Sequence, residues 1–273
     1  MKRKEIMSLI IDSHCHLEEF YKKGILPQVL KRAKNAGVEE MIVIGTSMKD
    51  WDLYAQLSND YGGNVYYSVG LHPENVDEHW EAHIQQLGSY FALENRPIAL
   101  GEIGLDFYRL PEDASQANKI KEWQEATFRY QLHLAMQLGC PVIIHSRNAF
   151  QECVKIIDES HIDWNKVVFH CFVEGIDEIR ELNKRGGRAS FTGIITYKNA
   201  PKVREAALVQ GVGKLMLETD CPYLAPEPFR GKENEPAYMF QIAEYAATLF
   251  NCNRDKFLKR VRDNTVAFFD LPV

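Results

Sequence analysis

Eight times along the chain, a short run rich in β-branched residues is followed by a turn signal and then by a longer stretch with helical periodicity. The runs are LIIDSH (9–14), EMIVIG (40–45), VYYSVG (65–70), PIALGE (97–102), PVIIHS (141–146), KVVFH (166–170), RASFTG (188–193) and KLMLETD (214–220). A strict alternation of strand and helix points to a parallel sheet, because each helix carries the chain back to the start of the next strand. The strand cores are apolar on both faces, as suits a sheet covered on both sides. Eight such units favour an α/β fold of the closed (β/α)8 TIM-barrel type over an open doubly wound sheet. Helical stretches such as ILPQVLKRAKNAG and GIDEIRELNKRGG finish on glycines suited to left-handed caps. Residues 236–270 read as two C-terminal helices closing the ring.

The 273 residues match the size of one such barrel, and no linker divides them, so residues 1–273 are expected to form a single domain. Residues 1–6, ahead of Met7, read as a disordered basic extension or an upstream start. At 45% hydrophobic and 26% charged residues the composition is that of a globular protein with a sizeable core. No apolar run approaches the roughly 20 residues that span a bilayer, and the first segment turns polar too soon for a signal peptide. A cytoplasmic protein is expected, with its six cysteines, which form no C-x-x-C pair, as reduced thiols. The net charge of -6 argues against a broad nucleic-acid grip through a basic surface. Any polyanion must be held locally.

The barrel assignment carries a chemical expectation, since barrel active sites lie at the C-terminal ends of the strands. Those ends hold His14 and His16 (run 1), Glu102 (run 4), His145 (run 5), His170 (run 6) and Asp220 (run 8). All are metal-ligand types: imidazole with carboxylate suits Zn, Mn, Fe or Co, and a carboxylate-rich, hydrated site accepts Mg. A single histidine at a strand end is more often a hydrogen-bonded structural residue, but six ligand types together at one end of five strands make a metal site the better account. His14 and His16 share a strand face by their period of two. Asp12 shares that face at a deeper position and is read as a supporting group. Cys15, Cys171 and Cys221 each follow a candidate ligand by one residue and are read as packing residues pointing the other way. Glu218, two before Asp220, either orients a ligand histidine or pairs with a buried base. The rim adds His72, Asp106, Tyr108, Arg147, Tyr197, Lys198, Arg230 and Lys232. The cations Arg147, Lys198, Arg230 and Lys232 are what local phosphate recognition needs.

At these residues the sequence resembles the TatD-type metal-dependent deoxyribonucleases, through DSHCH, GLHPE, GEIGLDFY, PVIIHSRNA, FHCF, ETDCPYLAPEPFRGKENEP and NTVAFF, in order over nearly the whole chain. The resemblance implies a barrel holding two divalent metal ions, with His14, His16, Glu102, His145, His170 and Asp220 as ligands and Glu102 as the bridging carboxylate. It implies magnesium-dependent DNA hydrolysis, often as a 3′ to 5′ exonuclease, with Zn, Mn, Fe or Ni as other bound species. Some relatives act on other ester or amide substrates. The expected activity is therefore phosphodiester hydrolysis by activated water on DNA, or on RNA or another phosphate ester, with no membrane and no obligate protein partner. Asp220 and Glu102 are the expected catalytic residues, and His72, Arg147, Arg230 and Lys232 the expected substrate contacts. Ester or amide hydrolysis, including aminoacyl-tRNA deacylation, is the alternative, because the same hydroxide attacks a carbonyl.

Overall fold

A computed structural model describes residues 10–272; the expectation for residues 1–6 lies outside them. The eight strands are β1 (Ile10–Cys15), β2 (Val38–Ile44), β3 (Val65–Val69), β4 (Ala99–Asp106), β5 (Val142–Arg147), β6 (Val167–Phe169), β7 (Arg188–Phe191) and β8 (Met216–Leu217). They form one sheet in the order β1 to β8. The ring closes where β8 returns to β1: the Asp220 amide donates to the His14 carbonyl at 2.9 Å and the His16 amide to the Cys221 carbonyl at 2.8 Å. The fold is a (β/α)8 barrel.

By internal contacts the chain divides into two compact units. The first comprises described residues 10–43, 61–66 and 171–272. Its helices are α1 (Glu18–Lys22), α2 (Leu26–Asn35), and, further along, α8 (Ile176–Arg185), α9 (Pro201–Gln210), α10 (Met239–Leu249) and α11 (Arg254–Phe269). The second comprises residues 44–60 and 67–170, with α3 (Met48–Asp60), α4 (Trp80–Ile84), α5 (Leu87–Tyr90), α6 (Ala114–Leu138) and α7 (Phe150–Ser160). No helix among the described residues is long and apolar enough to cross a membrane.

In the first unit, α2 begins with Pro27 in its first turn, where the missing N–H costs nothing. It buries Leu26, Val29 and Ala33, one helical face. The two C-terminal helices bury Ile242, Ala246, Phe257, Val261 and Phe268 on their inner faces. β8 is shorter than the run 214–220 suggests. Past Leu217 the Thr219 amide bonds a side chain, the Asp12 carboxylate at 2.9 Å, and the Thr219 hydroxyl donates to the same group at 2.5 Å. Asp12 is thus a buried tie between the first and last strands, and burial pushes its carboxyl up to about 7.

In the second unit, the Asp113 side chain accepts from the Gln116 amide at the start of α6, and Gly139 ends the helix in the left-handed region. Trp51 is fully buried with its indole N–H donating to the Gly70 carbonyl at 3.0 Å, so the ring gains burial without stranding a donor. β4 runs beyond residue 102, to Asp106, and its glycines allow this. A Cβ on Gly101 would sit 2.6 Å from the Ile143 Cβ, and one on Gly104 would sit 2.0 Å from the His145 carbonyl oxygen. Gly104 also has φ +139°, a region that side chains disfavour. The pattern GEIG is therefore what lets β4 approach β5 around Glu102. Gly104→Ala combines overpacking with backbone strain and should lower the unfolding free energy by about 3 kcal/mol or more. A denaturant titration showing less than about 1 kcal/mol of loss would refute the close-packing account.

Candidate metal and phosphate site

The first unit brings three ligand-type atoms together. His14 lies on β1 and His16 one residue past its end, and their period of two turns both rings to one side. The two Nε2 atoms are 3.2 Å apart, and each lies 3.5 Å from Asp220 Oδ1. All three residues are buried. Asp220 sits at φ +55°, a backbone state that Asp tolerates better than most residues but that still needs support from its surroundings. That support includes its amide bond to His14. Nearby, Glu218 accepts from the Cys171 amide and the Ser190 hydroxyl, both at 2.6 Å. Burial raises the Cys15 and Cys221 thiols above their ordinary values, so neither is an activated nucleophile.

The second unit gathers a second set around Glu102, which is 3% exposed. Its Oε1 lies 2.6 Å from His170 Nε2, 2.7 Å from His145 Nδ1 and 3.3 Å from His72 Nε2. His145 Nδ1 and His170 Nε2 are themselves 3.3 Å apart. Nitrogen and oxygen lone-pair donors this close repel one another unless a proton or a cation stands between them. Two imidazoles and a carboxylate are a fitting donor set for a divalent ion. The first unit's His14, His16 and Asp220 form a set of the same composition.

The alternate ring nitrogens distinguish the histidines by what each one faces. His145 Nε2 is 3.0 Å from Asp106 Oδ2, so an Nε2–H directed at Asp106 leaves the Nδ1 lone pair toward Glu102. Burial acts to lower the His145 value, but Asp106 and Glu102 outweigh it and hold the ring above its ordinary range. For Asp106, burial acts upward, but the His145 bond and the Tyr108 amide prevail and hold the carboxyl below its ordinary value. In His72, Nδ1 accepts from the Glu74 amide at 3.1 Å, which places the proton of the neutral ring on Nε2. Burial, opposed by Glu102, lowers the His72 value and favours that neutral form. His72 is thus arranged to donate.

Two glutamines on α6 hold the backbone beside these groups. Gln131 accepts from the Leu71 amide at 2.8 Å and donates to its carbonyl at 3.2 Å. Gln124 accepts from the Asp106 amide at 3.0 Å and donates, at 3.2 Å each, to the carbonyls of Asp106 and Pro73. The residues on either side of His72 and the residue that orients His145 are therefore fixed by one helix. Sequence reasoning did not assign these roles. Asp106 shares the Glu102 face by alternation, and the glutamines are polar residues on a buried helix face among Phe128, Leu132 and Ala135, so signals for all three were present.

The expected phosphate contacts are also placed. Arg147 stacks its guanidinium 3.7 Å from the Tyr108 ring centre, in the second unit. In the first unit Arg230 lies 4.1 Å from the Tyr197 ring centre and bonds the Asn199 side chain at 3.2 Å. Lys232 reaches over Phe229 at 5.8 Å, and Lys198 is exposed. Stacking holds a guanidinium in place while leaving its N–H edge for an anion. Asp106→Ala releases the His145 ring, so divalent-cation affinity measured by calorimetry should fall roughly 10- to 100-fold. Unchanged affinity would remove Asp106 from that role.

Comparison with known proteins identifies the family. Residues 11–270 match the family described as TatD related DNase. An uncharacterized metal-dependent hydrolase of Escherichia coli K12, YcfH, is 32% identical over 265 residues, covering 96% of each chain. A protein of Pantoea vagans named 3′-5′ ssDNA/RNA exonuclease TatD is 29% identical over 249 residues, covering 89% of this chain and 93% of its own. The crystal structure of the TatD homologue YjjV from E. coli K12 superposes with a TM-score of 0.88 at 27% identity, covering 97% of this chain and 100% of that one. With the family matched over almost its full length, the chain belongs to the TatD-related DNases, a family of metal-dependent hydrolases.

Proposed function

We propose that this chain is a divalent-cation-dependent phosphodiesterase that removes nucleotides from DNA in the 3′ to 5′ direction, with magnesium as the activating ion. The observation that carries this reading is the pair of two-imidazole, one-carboxylate donor sets, accompanied by guanidinium groups held on aromatic rings. His14, His16 and Asp220 in one unit, and Glu102, His145 and His170 in the other, are the proposed ligands of two ions. When bound, such ions lower the pKa of water and neutralise charge developing on the phosphoryl oxygens.

The chain's own groups do the rest. Asp220 orients the attacking water and accepts its proton. Glu102, 2.6 Å from His170 and 2.7 Å from His145, would have its carboxylate charge compensated by the cation held with them. His72 keeps its Nε2–H on Glu102, 3.3 Å away, while Arg147, Arg230 and Lys232 hold phosphate charge on a chain whose net charge is -6. The Pantoea relative's name, with both DNA and RNA in it, supports the substrate class.

Chelation should abolish cleavage of end-labelled single-stranded DNA, and readdition across a series of divalent ions should restore it. In the restored state Asp220→Asn should lower kcat about 100-fold or more. Full activity in the variant, with metal content measured in both proteins, would remove Asp220 from the chemistry; turnover of esters or amides in preference to DNA would replace the phosphodiesterase reading. Salt gives a separate check. Three local cations on a single strand predict a log–log slope of binding against salt of about -2, and a slope several times steeper would contradict local contact.

A further inference from the structure

Beside the donor set of the first unit stands a largely exposed tyrosine. Tyr223 is 61% exposed, yet its ring centre lies 6.4 Å from that of His16, at an interplanar angle of 67°. Its backbone is firmly held. The Tyr223 amide donates to the Asp220 carbonyl at 3.0 Å, and its carbonyl accepts from the Asn234 side chain at 2.6 Å. Asn234 is fully buried; the same side-chain nitrogen donates to the Thr219 carbonyl at 2.9 Å, and its backbone amide donates to the Pro222 carbonyl at 3.0 Å. Both ends of the residue are thereby fixed to the segment that carries Asp220, while the ring stands largely in water.

Other aromatics nearby in sequence are used differently. Tyr197 donates its hydroxyl to the Ala225 carbonyl at 2.9 Å and carries Arg230 on its face. Phe229 and Tyr238 stack on each other at 4.1 Å and 10°. In the second unit Tyr108, 58% exposed, carries Arg147. A single exposed tyrosine is ordinary. One that is immobilised at its backbone and set edge-on to a proposed ligand imidazole is a preorganised planar surface.

We infer that Tyr223 is a stacking surface for a nucleobase next to the scissile phosphate, beside the His14, His16 and Asp220 donor set, and so determines specificity for nucleic acid over simple phosphate esters. This rests on the phosphodiesterase reading above. A base next to the scissile phosphate presents a flat π face whatever its identity, so the contact tolerates all four bases. It supplies affinity that a short contact list of cations does not, and it selects single-stranded ends, whose bases are unstacked.

The test uses the full chain loaded with whichever divalent ion supports cleavage. Two oligonucleotides are compared, one ending in an ordinary nucleotide and one whose terminal nucleotide is an abasic tetrahydrofuran, against the parent, Tyr223→Ala and Tyr223→Phe. Loss of the ring should reduce kcat/KM on the ordinary end about 10-fold or more, whereas Tyr223→Phe stays close to the parent. Removing the base should cost the parent a similar factor, and the two losses should not multiply when combined. In equilibrium binding, performed in the Asp220→Asn background, a terminal 2-aminopurine should be quenched by the protein that has Tyr223 and not by the one with alanine there. Losses that multiply, or equal quenching with and without the ring, overturn the inference and leave the phosphodiesterase reading standing. Failure of the parent to cleave any oligonucleotide across the metal series overturns both.

Discussion

A carboxylate 3% exposed, as Glu102 is, needs partners for its oxygens at once. His145 and His170 approach the same carboxylate oxygen within 2.7 Å, and His72 approaches within 3.3 Å. Each of those rings then needs its second nitrogen accounted for. Asp106 takes that of His145, and the Glu74 amide takes that of His72. Asp106 in turn is held by the Tyr108 amide and its backbone by Gln124. The requirement propagates outward one hydrogen bond at a time until it reaches α6. Unpaired groups in such a network would cost far more than the net gain of any one bond.

Polar ties also hold the first unit, but there they complete the sheet as well as the site. Asp12 replaces a backbone partner for Thr219, so β1 and β8 remain joined where the regular ladder has ended. The Asp220 and His16 amides continue the join on the carbonyls of His14 and Cys221. Closure and ligand placement thus use the same few residues. A change at Asp12 is expected to disturb both, although Asp12 need touch no substrate.

The barrel and the shared face of His14 and His16 were legible because both rest on short periods. Strand and helix alternate at intervals long enough to count, and His14 and His16 declare a shared face through a spacing of two. The extent of β4 was less legible: an eight-residue strand carrying Gly101, Glu102 and Gly104 contradicts local propensity, and only the close approach of β5 explains the glycines. Which group each histidine's second nitrogen faces was not legible at all. For His145 that group is 39 residues away. Tyr223 was hidden for a similar reason, since a tyrosine in a loop looks alike whether its backbone is loose or clamped by a buried asparagine.

The glutamines of α6 have a consequence for how the chain can vary. Gln124 and Gln131 stand seven residues apart, close to two full turns, so both amides face the same side. One residue inserted or deleted between them would swing one amide about 100° around the helix axis and strand the backbone of Leu71 or of Asp106. The helix is therefore a calibrated spacer over that interval. Between the two glutamines the phase of the helix is locked to the backbone of Leu71 and Asp106 that it supports.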